Sequence, residues 1–375
     1  MYDRLISAQP IKQTAQAHLP ETCLIRKRRI SLKGQQVRAF TAEIMSFISN
    51  QNVQIECKPE ELLFLDTETT GLARGAGTIA FLIGYGQIIG DELHITQVLM
   101  RDYHQEILLL EDFLERVKGC RCLLTYNGAS FDLPLLQSRL IMNRLQFDLS
   151  NVLHLDLLHA ARRIFKLRLG RCPLNRMEEL VFNFTREDDL PGSEVPGRFF
   201  EYLKHRDEGL LEDVLRHNDQ DIITLSLLFL DLVGLHTNPL ETPHQQDLLS
   251  LGTVYEKQGH HTRAIACYRA CSDQAVLDIA RLRTAEIYRK QRRDQEAADE
   301  YETLRQSRAV NPKVFISLAK IYEHRFKDPA RALEIARQGM LYCSERIGFF
   351  AAEDRDYLDL QKRSLRLMRK VENSG

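Results

Sequence analysis

The sequence predicts an α/β domain with a mixed sheet, followed by an all-α superhelix. Between residues 60 and 100, three strand-like apolar runs are joined by short connections, as in an antiparallel meander. From residue 105 to 235, helical and strand-like patterns alternate, which implies helices layered against a sheet. From residue 247 onward, helical patterns recur every 33 to 34 residues, which is typical of stacked helical hairpins.

The composition is that of a globular protein. Of 375 residues, 44% are hydrophobic and 27% are charged, and the formal net charge is −1. No run of about 18 apolar residues predicts a membrane span, and the first residues lack the basic-then-apolar pattern of a signal peptide. We therefore expect a cytoplasmic protein.

Residues 1–58 are predicted to be an N-terminal extension. A short helix is expected between Phe40 and Ile48, and residues 26–29 form a compact basic run. Most such runs are simply solvated, so contact with nucleic acid is the less favoured interpretation of this one.

The α/β domain is predicted over residues 59–235. Its elements are expected in the order strand 62–65, strand 78–88, strand 93–99, helix 106–117, strand 122–126, helix 133–142, strand 152–155, helix 157–167, helix 199–204 and helix 209–232. Gly and Pro residues between 189 and 197 indicate an irregular loop. Pro239 and Pro243 break the helical pattern, which predicts a linker at 236–246 and a second domain at 247–375.

The second domain contains an internal repeat. Gly252, Ala285 and Ala319 are spaced 33 and 34 residues apart, and a tyrosine follows each of them three residues later. Further alanines and tyrosines recur in phase at Ala264, Ala297, Ala332, Tyr268 and Tyr301. The pattern resembles the tetratricopeptide repeat, in which a small residue lies where two helices cross. The resemblance implies a tetratricopeptide-type superhelix whose concave surface docks an unknown protein or peptide.

Asp66 and Glu68 are the most informative residues of the chain. They follow the apolar run at residues 62–65, and side chains two apart in a strand project from the same face. Two carboxylates that close repel each other unless protons or metal ions neutralise them. Since no basic residue lies between Glu61 and Arg74, a hard divalent cation is the expected counter-charge.

Two further acidic positions lie where such folds carry functional groups. Asp132 follows a strand and a glycine-containing turn, at the expected N-terminus of a helix. Taken alone, it would more commonly be a helix cap. His217 and Asp221 are four residues apart in a long helix and share one face, whereas Asp219 is turned away from that face. Taken alone, that segment would more commonly be an exposed polar helix surface.

Together the three segments resemble, in order, the three motifs of the DEDD exonucleases, which have a ribonuclease-H-like fold. The resemblance rests on Asp-x-Glu at residue 66, Asn-x-x-x-Phe-Asp ending at Asp132 and His-Asn-x-x-Asp ending at Asp221, and it is closest to the YprB-like branch. It covers about residues 60–235. It implies a 3′→5′ exonuclease that holds two Mg²⁺ or Mn²⁺ ions with Asp66, Glu68, Asp132 and Asp221.

The resemblance also implies roles for neighbouring residues. In the family a Tyr precedes the last Asp by four residues or a His precedes it by five, so His217 combines the two patterns and either orients or deprotonates a water. Substrate contacts are expected from Thr69, Thr70, Leu72 and Asn127. The implied substrate is a single-stranded 3′ end, of DNA or RNA, and an endonuclease mode stays open.

Two features of the chain have alternative interpretations. Residues 160–176 contain six basic residues and no acidic one, so they either track the phosphates of a nucleic acid or form a solvated helix surface. The alternative to an enzyme is a catalytically silent nucleic-acid clamp or scaffold that works through its repeats. The four carboxylates argue against that alternative, because a scaffold has no physical reason to keep repelling charges together.

Overall fold

The structure, a computed structural model, describes residues 22–34, 39–71, 77–146, 148–186, 190–307 and 310–373. The chain divides into two compact units, Met1–Pro239 and Leu240–Gly375. The division falls within residues 236–246, where the sequence predicts a linker. The first unit contains a sheet with helices and the described part of the second is helical, so a mixed-sheet α/β part and a helical part are both confirmed.

Among the described residues, the first unit contains a mixed sheet of six strands in the order β1-β4-β3-β2-β5-β6. The strands are β1 (Leu24–Ser31), β2 (Leu62–Thr69), β3 (Ala80–Ile89), β4 (Glu92–Leu99), β5 (Cys122–Thr125) and β6 (Leu153–Asp156). Strands β1 to β4 pair antiparallel, whereas β2, β5 and β6 pair parallel. The predicted meander is confirmed, and β2 lies where the antiparallel and parallel halves of the sheet meet.

Strand β1 comes from the predicted N-terminal extension. Its residues pair with β4 over their whole length, from Leu24 opposite Leu99 to Ser31 opposite Glu92. Two cations of the basic run also bond to a helix: Arg26 donates to Glu212 at 3.0 Å, and Arg28 donates to Asp219. Residues 24–31 therefore belong to the α/β unit. The sequence did not reveal this, because strand pairing and ion pairs, rather than an apolar pattern, place them there.

The helices of the first unit are α1 (Ala42–Ser49), α2 (Glu106–Lys118), α3 (Asp132–Met142), α4 (Leu157–Leu169), α5 (Leu174–Leu180), α6 (Val195–His205) and α7 (Glu212–Thr237). All of them except α5 overlap a predicted helix. By length and composition, the stretch Glu208–Thr237 is apolar enough to cross a membrane, yet much of it is buried, as in a core helix.

Helix α7 packs across β2, β3 and β4. Its close approach depends on two glycines of β3. A Cβ atom on Gly84 would lie 2.2 Å from Asn218 Oδ1, and one on Gly86 would lie 2.8 Å from Ile222 Cγ2. Glycine within a strand marks such a close contact, and here it lets α7 bring its side chains down onto the sheet.

The second unit contains α8 (Gln245–Lys257), α9 (His261–Ala270), α10 (Gln274–Lys290), α11 (Asp294–Arg305), α12 (Lys313–His324), α13 (Pro329–Ile347) and α14 (Arg355–Glu372). Each helix packs against the next along the chain. The small residues of the repeat, Gly252, Ala285 and Ala319, are buried. A Cβ atom on Gly252 would lie 2.5 Å from Cε1 of Tyr268, so this helix crossing requires a residue without a side chain.

Candidate active site

Four carboxylates converge at the centre of the first unit. Asp66 and Glu68 lie on one face of β2, Asp132 is the first residue of α3, and Asp221 lies in α7. Burial and the negative charges of Asp221, Glu68 and Asp132 together raise the pKa of Asp66 well above its usual range. The three segments singled out in the sequence therefore meet in the fold.

Asn218 holds Asp66 in place. Its side chain is fully buried, and its Nδ2 donates to Asp66 Oδ2 at 2.8 Å. Its Oδ1 accepts from Gln97 Nε2 at 2.9 Å, and Gln97 also donates to the carbonyl of Leu215 at 2.7 Å. Gly84, which lies opposite Asp66 in the strand pairing, leaves room for the amide. Asn218 belongs to the His-Asn-x-x-Asp motif, but its contact with Asp66 was not predicted, although a glycine within a strand is a signal for such a close approach.

Asp132 lies next to the part of β2 that extends beyond its pairing with β5. The pairing of β5 with β2 ends at Phe64, and α3 begins shortly after β5. The N-cap residue of α3 is Phe131, so Asp132 is not the cap, and its carboxylate is favoured by the helix dipole. Burial raises the pKa of Asp132 to about 6, against the hydrogen bond from Thr67. That bond, from Thr67 Oγ1 to Asp132 Oδ1, measures 2.5 Å.

Asp156 holds the turn that leads into Asp132. Its Oδ1 accepts from the Asn127 N–H at 2.7 Å, and its Oδ2 accepts from the Ala129 N–H at 3.1 Å. Its Oδ1 also accepts from the Leu158 N–H at 3.1 Å, which caps α4. Asn127 adopts a left-handed backbone with φ of 66°. Asp156 therefore supports the site by fixing a turn.

Arg186 contacts Asp221, the carboxylate that α7 contributes to the site. Its Nε and Nη2 donate to the two oxygens of Glu178 at 2.6 and 2.7 Å, and Nη2 also donates to Asp221 Oδ1. The Arg186 side chain is 9% exposed and that of Glu178 is 2% exposed. Burial by itself would lower the pKa of Arg186, but the hydrogen bonds to Glu178 and the charge of Asp221 raise it above its usual range. Arg186 lies in an irregular segment without a helical or strand pattern, so its place in the site was not predicted.

His217 shares a helix face with Asp221, as their spacing predicts. Its Nε2 lies 3.7 Å from Asp221 Oδ2, and its Nδ1 lies 3.2 Å from Arg186 Nη1. Because a guanidinium can only donate, Nδ1 is assigned as the acceptor and Nε2 as the protonated nitrogen. Asp219 faces away from the site and pairs with Arg28, in agreement with its exclusion from the ligand set.

The predicted substrate-binding residues lie at the end of β2 and in the turn before α3. Thr69 Oγ1 donates to the carbonyl of Gly71 at 2.9 Å. The Thr70 N–H donates to the carbonyl of Ile79 at 2.9 Å, and its Oγ1 accepts from the Ile79 N–H at 3.0 Å. The Asn127 N–H is engaged by Asp156, and Leu72 lies outside the described residues. Contact of these four residues with a substrate stays a prediction.

The cations of residues 160–176 fall into two groups. Arg163 and Arg168 donate to backbone carbonyls of the fold, whereas four others are exposed: Arg162, Lys166, Arg171 and Arg176. Tyr126 Oη donates to the carbonyl of Cys172 at 2.5 Å. This hydrogen bond attaches the basic stretch to the turn before Asp132.

The carboxylate cluster has the donor chemistry of a divalent metal site. Carboxylate oxygens suit Mg²⁺ and Mn²⁺, and a cation would offset the repulsion that acts on Asp66. Within the described residues, no three His, Cys, Asp or Glu side chains already surround the position of one ion. Asp66, Asp132 and Asp221 each accept a hydrogen bond from a protein donor instead. A bound cation would therefore require these side chains to reorient.

Comparisons with known proteins agree with this fold. Residues 63–233 match the RNase_H_2 family of the RNase H superfamily. Over 288 residues the chain is 33% identical to the uncharacterized protein YprB of Bacillus subtilis (strain 168), covering 74% of this chain and 69% of that protein. A family B DNA polymerase from the hyperthermophilic archaeon Pyrobaculum calidifontis matches with a TM-score of 0.37 and 14% identity, over 60% of this chain and 29% of that one. The agreement rests on the two sequence matches.

Proposed function

The chain belongs to the YprB family and carries an RNase H superfamily domain, and on this basis we propose that it is a metal-dependent 3′→5′ exonuclease. The observation that most supports the proposal is the convergence of Glu68, Asp132 and Asp221 on Asp66. Carboxylates this close repel each other unless protons or cations neutralise them, so their clustering is understandable in a site that binds divalent cations.

Two Mg²⁺ or Mn²⁺ ions, held by Asp66, Glu68, Asp132 and Asp221, would supply positive charge to an in-line displacement at phosphorus. The charge of Asp66 interacts with those of the other three carboxylates, so Asp66 would be a central member of the ligand set. Water would be the nucleophile, and nucleoside monophosphates would be the products.

His217 would hold that water. Its Nδ1 is engaged by Arg186, and its Nε2–H is the side of the ring that lies near Asp221. An N–H group orients an oxygen lone pair but does not accept a proton, which favours orientation of the water over its deprotonation.

The surroundings of the site suit a single-stranded nucleic acid. Phe131 is 48% exposed directly beside Asp132, and an exposed ring offers a stacking surface to a base. The exposed cations Arg162, Lys166, Arg171 and Arg176 would contact backbone phosphates. These features do not discriminate between DNA and RNA.

The second unit would be a tetratricopeptide-type module that docks a protein or peptide. Its support is the repeat itself: the small residues that recur in phase are buried, and the helices pack consecutively along the chain.

A catalytically silent clamp is the second candidate, favoured by the arrangement in which Arg186 occupies Asp221. Metal binding separates the two candidates. An enzyme is expected to show a rise in thermal unfolding midpoint with Mn²⁺ that is lost in Asp66→Ala, because a ligand of the folded state stabilises it. A clamp would show no shift in either protein.

The polarity of cleavage is tested with 5′-labelled single-stranded DNA and RNA, each with a free or a blocked 3′ end, in Mn²⁺ or Mg²⁺. We expect a ladder that shortens from the free 3′ end and that is absent in chelator and in Asp132→Asn. Cutting of the strands with a blocked 3′ end would mean that the protein is an endonuclease rather than an exonuclease. No cutting of either polymer would leave the clamp as the better proposal.

A further inference from the structure

Arg186 lies between two acidic groups that differ in accessibility. Its Nε and Nη2 bond both oxygens of Glu178, while Nη2 also reaches Asp221. Glu178 additionally accepts from the Thr224 hydroxyl and, at 3.5 Å, from Gln220 Nε2. Its side chain is 2% exposed, whereas that of Asp221 is 17% exposed. Glu178 is thus enclosed by protein donors, and Asp221 is the carboxylate that a cation from solvent can approach.

The chemistry of arginine makes this contact a persistent one. A guanidinium stays protonated in proteins, so Arg186 cannot release Asp221 by losing its proton, as a lysine can. Its planar fork is fixed by the two bonds to Glu178, which leaves Nη1 and Nη2 directed at His217 and Asp221. A cation that binds Asp221 therefore meets a positive charge that is already there.

We propose that Arg186 is the built-in counter-charge of Asp221, that Glu178 holds it in position, and that this pair sets the affinity of the carboxylate cluster for divalent cations. The inference rests on the proposed metal-dependent function. Arg186 acts here as a positioning residue, because it contacts Asp221 and His217 rather than a substrate.

The proposal predicts opposite effects for the two members of the pair. Arg186→Met removes a positive charge next to the cluster, so Mn²⁺ should bind at least roughly fivefold more tightly. Glu178→Gln leaves the guanidinium without its main partner, so Arg186 should hold Asp221 more strongly and Mn²⁺ should bind at least roughly fivefold more weakly. A residue pair that merely supports the fold would weaken Mn²⁺ binding in both variants.

The measurement is the dissociation constant of Mn²⁺, by isothermal titration calorimetry on the full chain without nucleic acid. Arg186→Lys, which keeps the charge, should stay within about twofold of the unmodified protein if charge sets the affinity. Arg337→Met, which removes an exposed charge from α13 in the second unit, should leave the constant unchanged. Asp66→Asn should abolish binding and so report that the titration follows the carboxylate cluster.

The double variant Glu178→Gln/Arg186→Met covers the case in which a single variant fails to fold, because it removes both charges of a buried pair together. Its net charge equals that of the unmodified protein, so Mn²⁺ should bind within about twofold of the unmodified affinity. Weaker binding in both single variants, or a loss of fivefold or more in the double variant, would overturn the proposal. Absence of Mn²⁺ binding in the unmodified protein would instead overturn the proposed function, and this inference with it.

Discussion

At the scale of single residues, the carboxylate cluster is assembled by neutral and cationic donors. Asn218 bonds Asp66, and Thr67 bonds Asp132, each through one neutral hydrogen bond. These bonds hold like charges close together without cancelling them, and burial together with those charges raises the pKa of Asp66. We therefore expect the cluster to lower the stability of the metal-free protein.

Asp66→Asn should stabilise the metal-free protein and destroy its response to metal. The substitution removes one of four repelling charges and keeps an oxygen that can accept from Asn218, so the free energy of unfolding in chelator should rise by on the order of 1 kcal/mol. Addition of Mn²⁺ should then produce no further stabilisation. Urea unfolding with and without Mn²⁺ measures both effects. A metal-free variant that is less stable than the unmodified protein would show that repulsion at Asp66 is not significant.

Gly84→Ala should disturb the site through Asn218, which packs against this glycine. The new methyl group would lie within 2.2 Å of Asn218 Oδ1, so the amide must move away from Asp66. We expect a loss of about 1–3 kcal/mol in unfolding free energy, together with weaker Mn²⁺ binding. Gly119→Ala is the matched control, because its nearest neighbour would be a carbonyl oxygen at 3.5 Å, an ordinary contact distance. Unchanged Mn²⁺ binding in Gly84→Ala would contradict the role given to Asn218.

At the scale of elements, the sequence revealed the parts of the fold that carry an apolar pattern. Strands β2 and β4 and helices α2 and α7 are visible in that way, and with them the positions of Asp66 and Asp221. Strand β1 was not predicted, because its sequence is dominated by a basic run. It forms a strand by pairing with β4. Arg186 was not visible either, because an irregular segment rather than a helix or strand brings it to the site.

Because β1 is attached to α7 through Arg28, we expect substitutions within the basic run to differ in their effect on the free energy of unfolding. Arg28→Ala should cost about 1–3 kcal/mol in unfolding free energy, because it leaves the buried carboxylate of Asp219 without its cation. Lys27→Ala changes the same charge at the neighbouring exposed position and should cost less than about 0.5 kcal/mol. Chemical denaturation of the two variants compares them directly. An equal loss of unfolding free energy in the two variants would mean that the ion pair between Arg28 and Asp219 does not stabilise the fold.

At the scale of the whole molecule, net charge does not provide affinity for nucleic acid. The chain carries a formal charge of −1, so attraction to a phosphate backbone has to come from local groups of cations. The exposed members of residues 160–176 are the group attached to the turn before Asp132. We expect these cations to supply that attraction.

Arg162→Gln/Lys166→Gln should therefore lower the salt dependence of binding. In the Asp132→Asn background, which is expected to bind without cleaving, the slope of log affinity against log salt should fall in magnitude by about 1.4, because each substitution removes one cation that pairs with a phosphate and each such contact contributes about 0.7 on a single strand. The decrease should be similar for single-stranded DNA and RNA. Lys118→Gln/Lys204→Gln removes the same charge from exposed positions of α2 and α6 and should keep the slope. An unchanged slope in the first double variant would assign these cations to a solvated helix surface.

The most direct test of the metal site is anomalous diffraction at the manganese edge from crystals of the full chain soaked in Mn²⁺. We predict anomalous peaks bounded by Asp66, Glu68, Asp132 and Asp221, with the two ions about 4 Å apart. Asp221 should then face the metal, with its contact to Arg186 altered. Crystals that show no peak at these four carboxylates, with Arg186 still bonded to Asp221, would contradict the proposal that this protein is a metal-dependent nuclease.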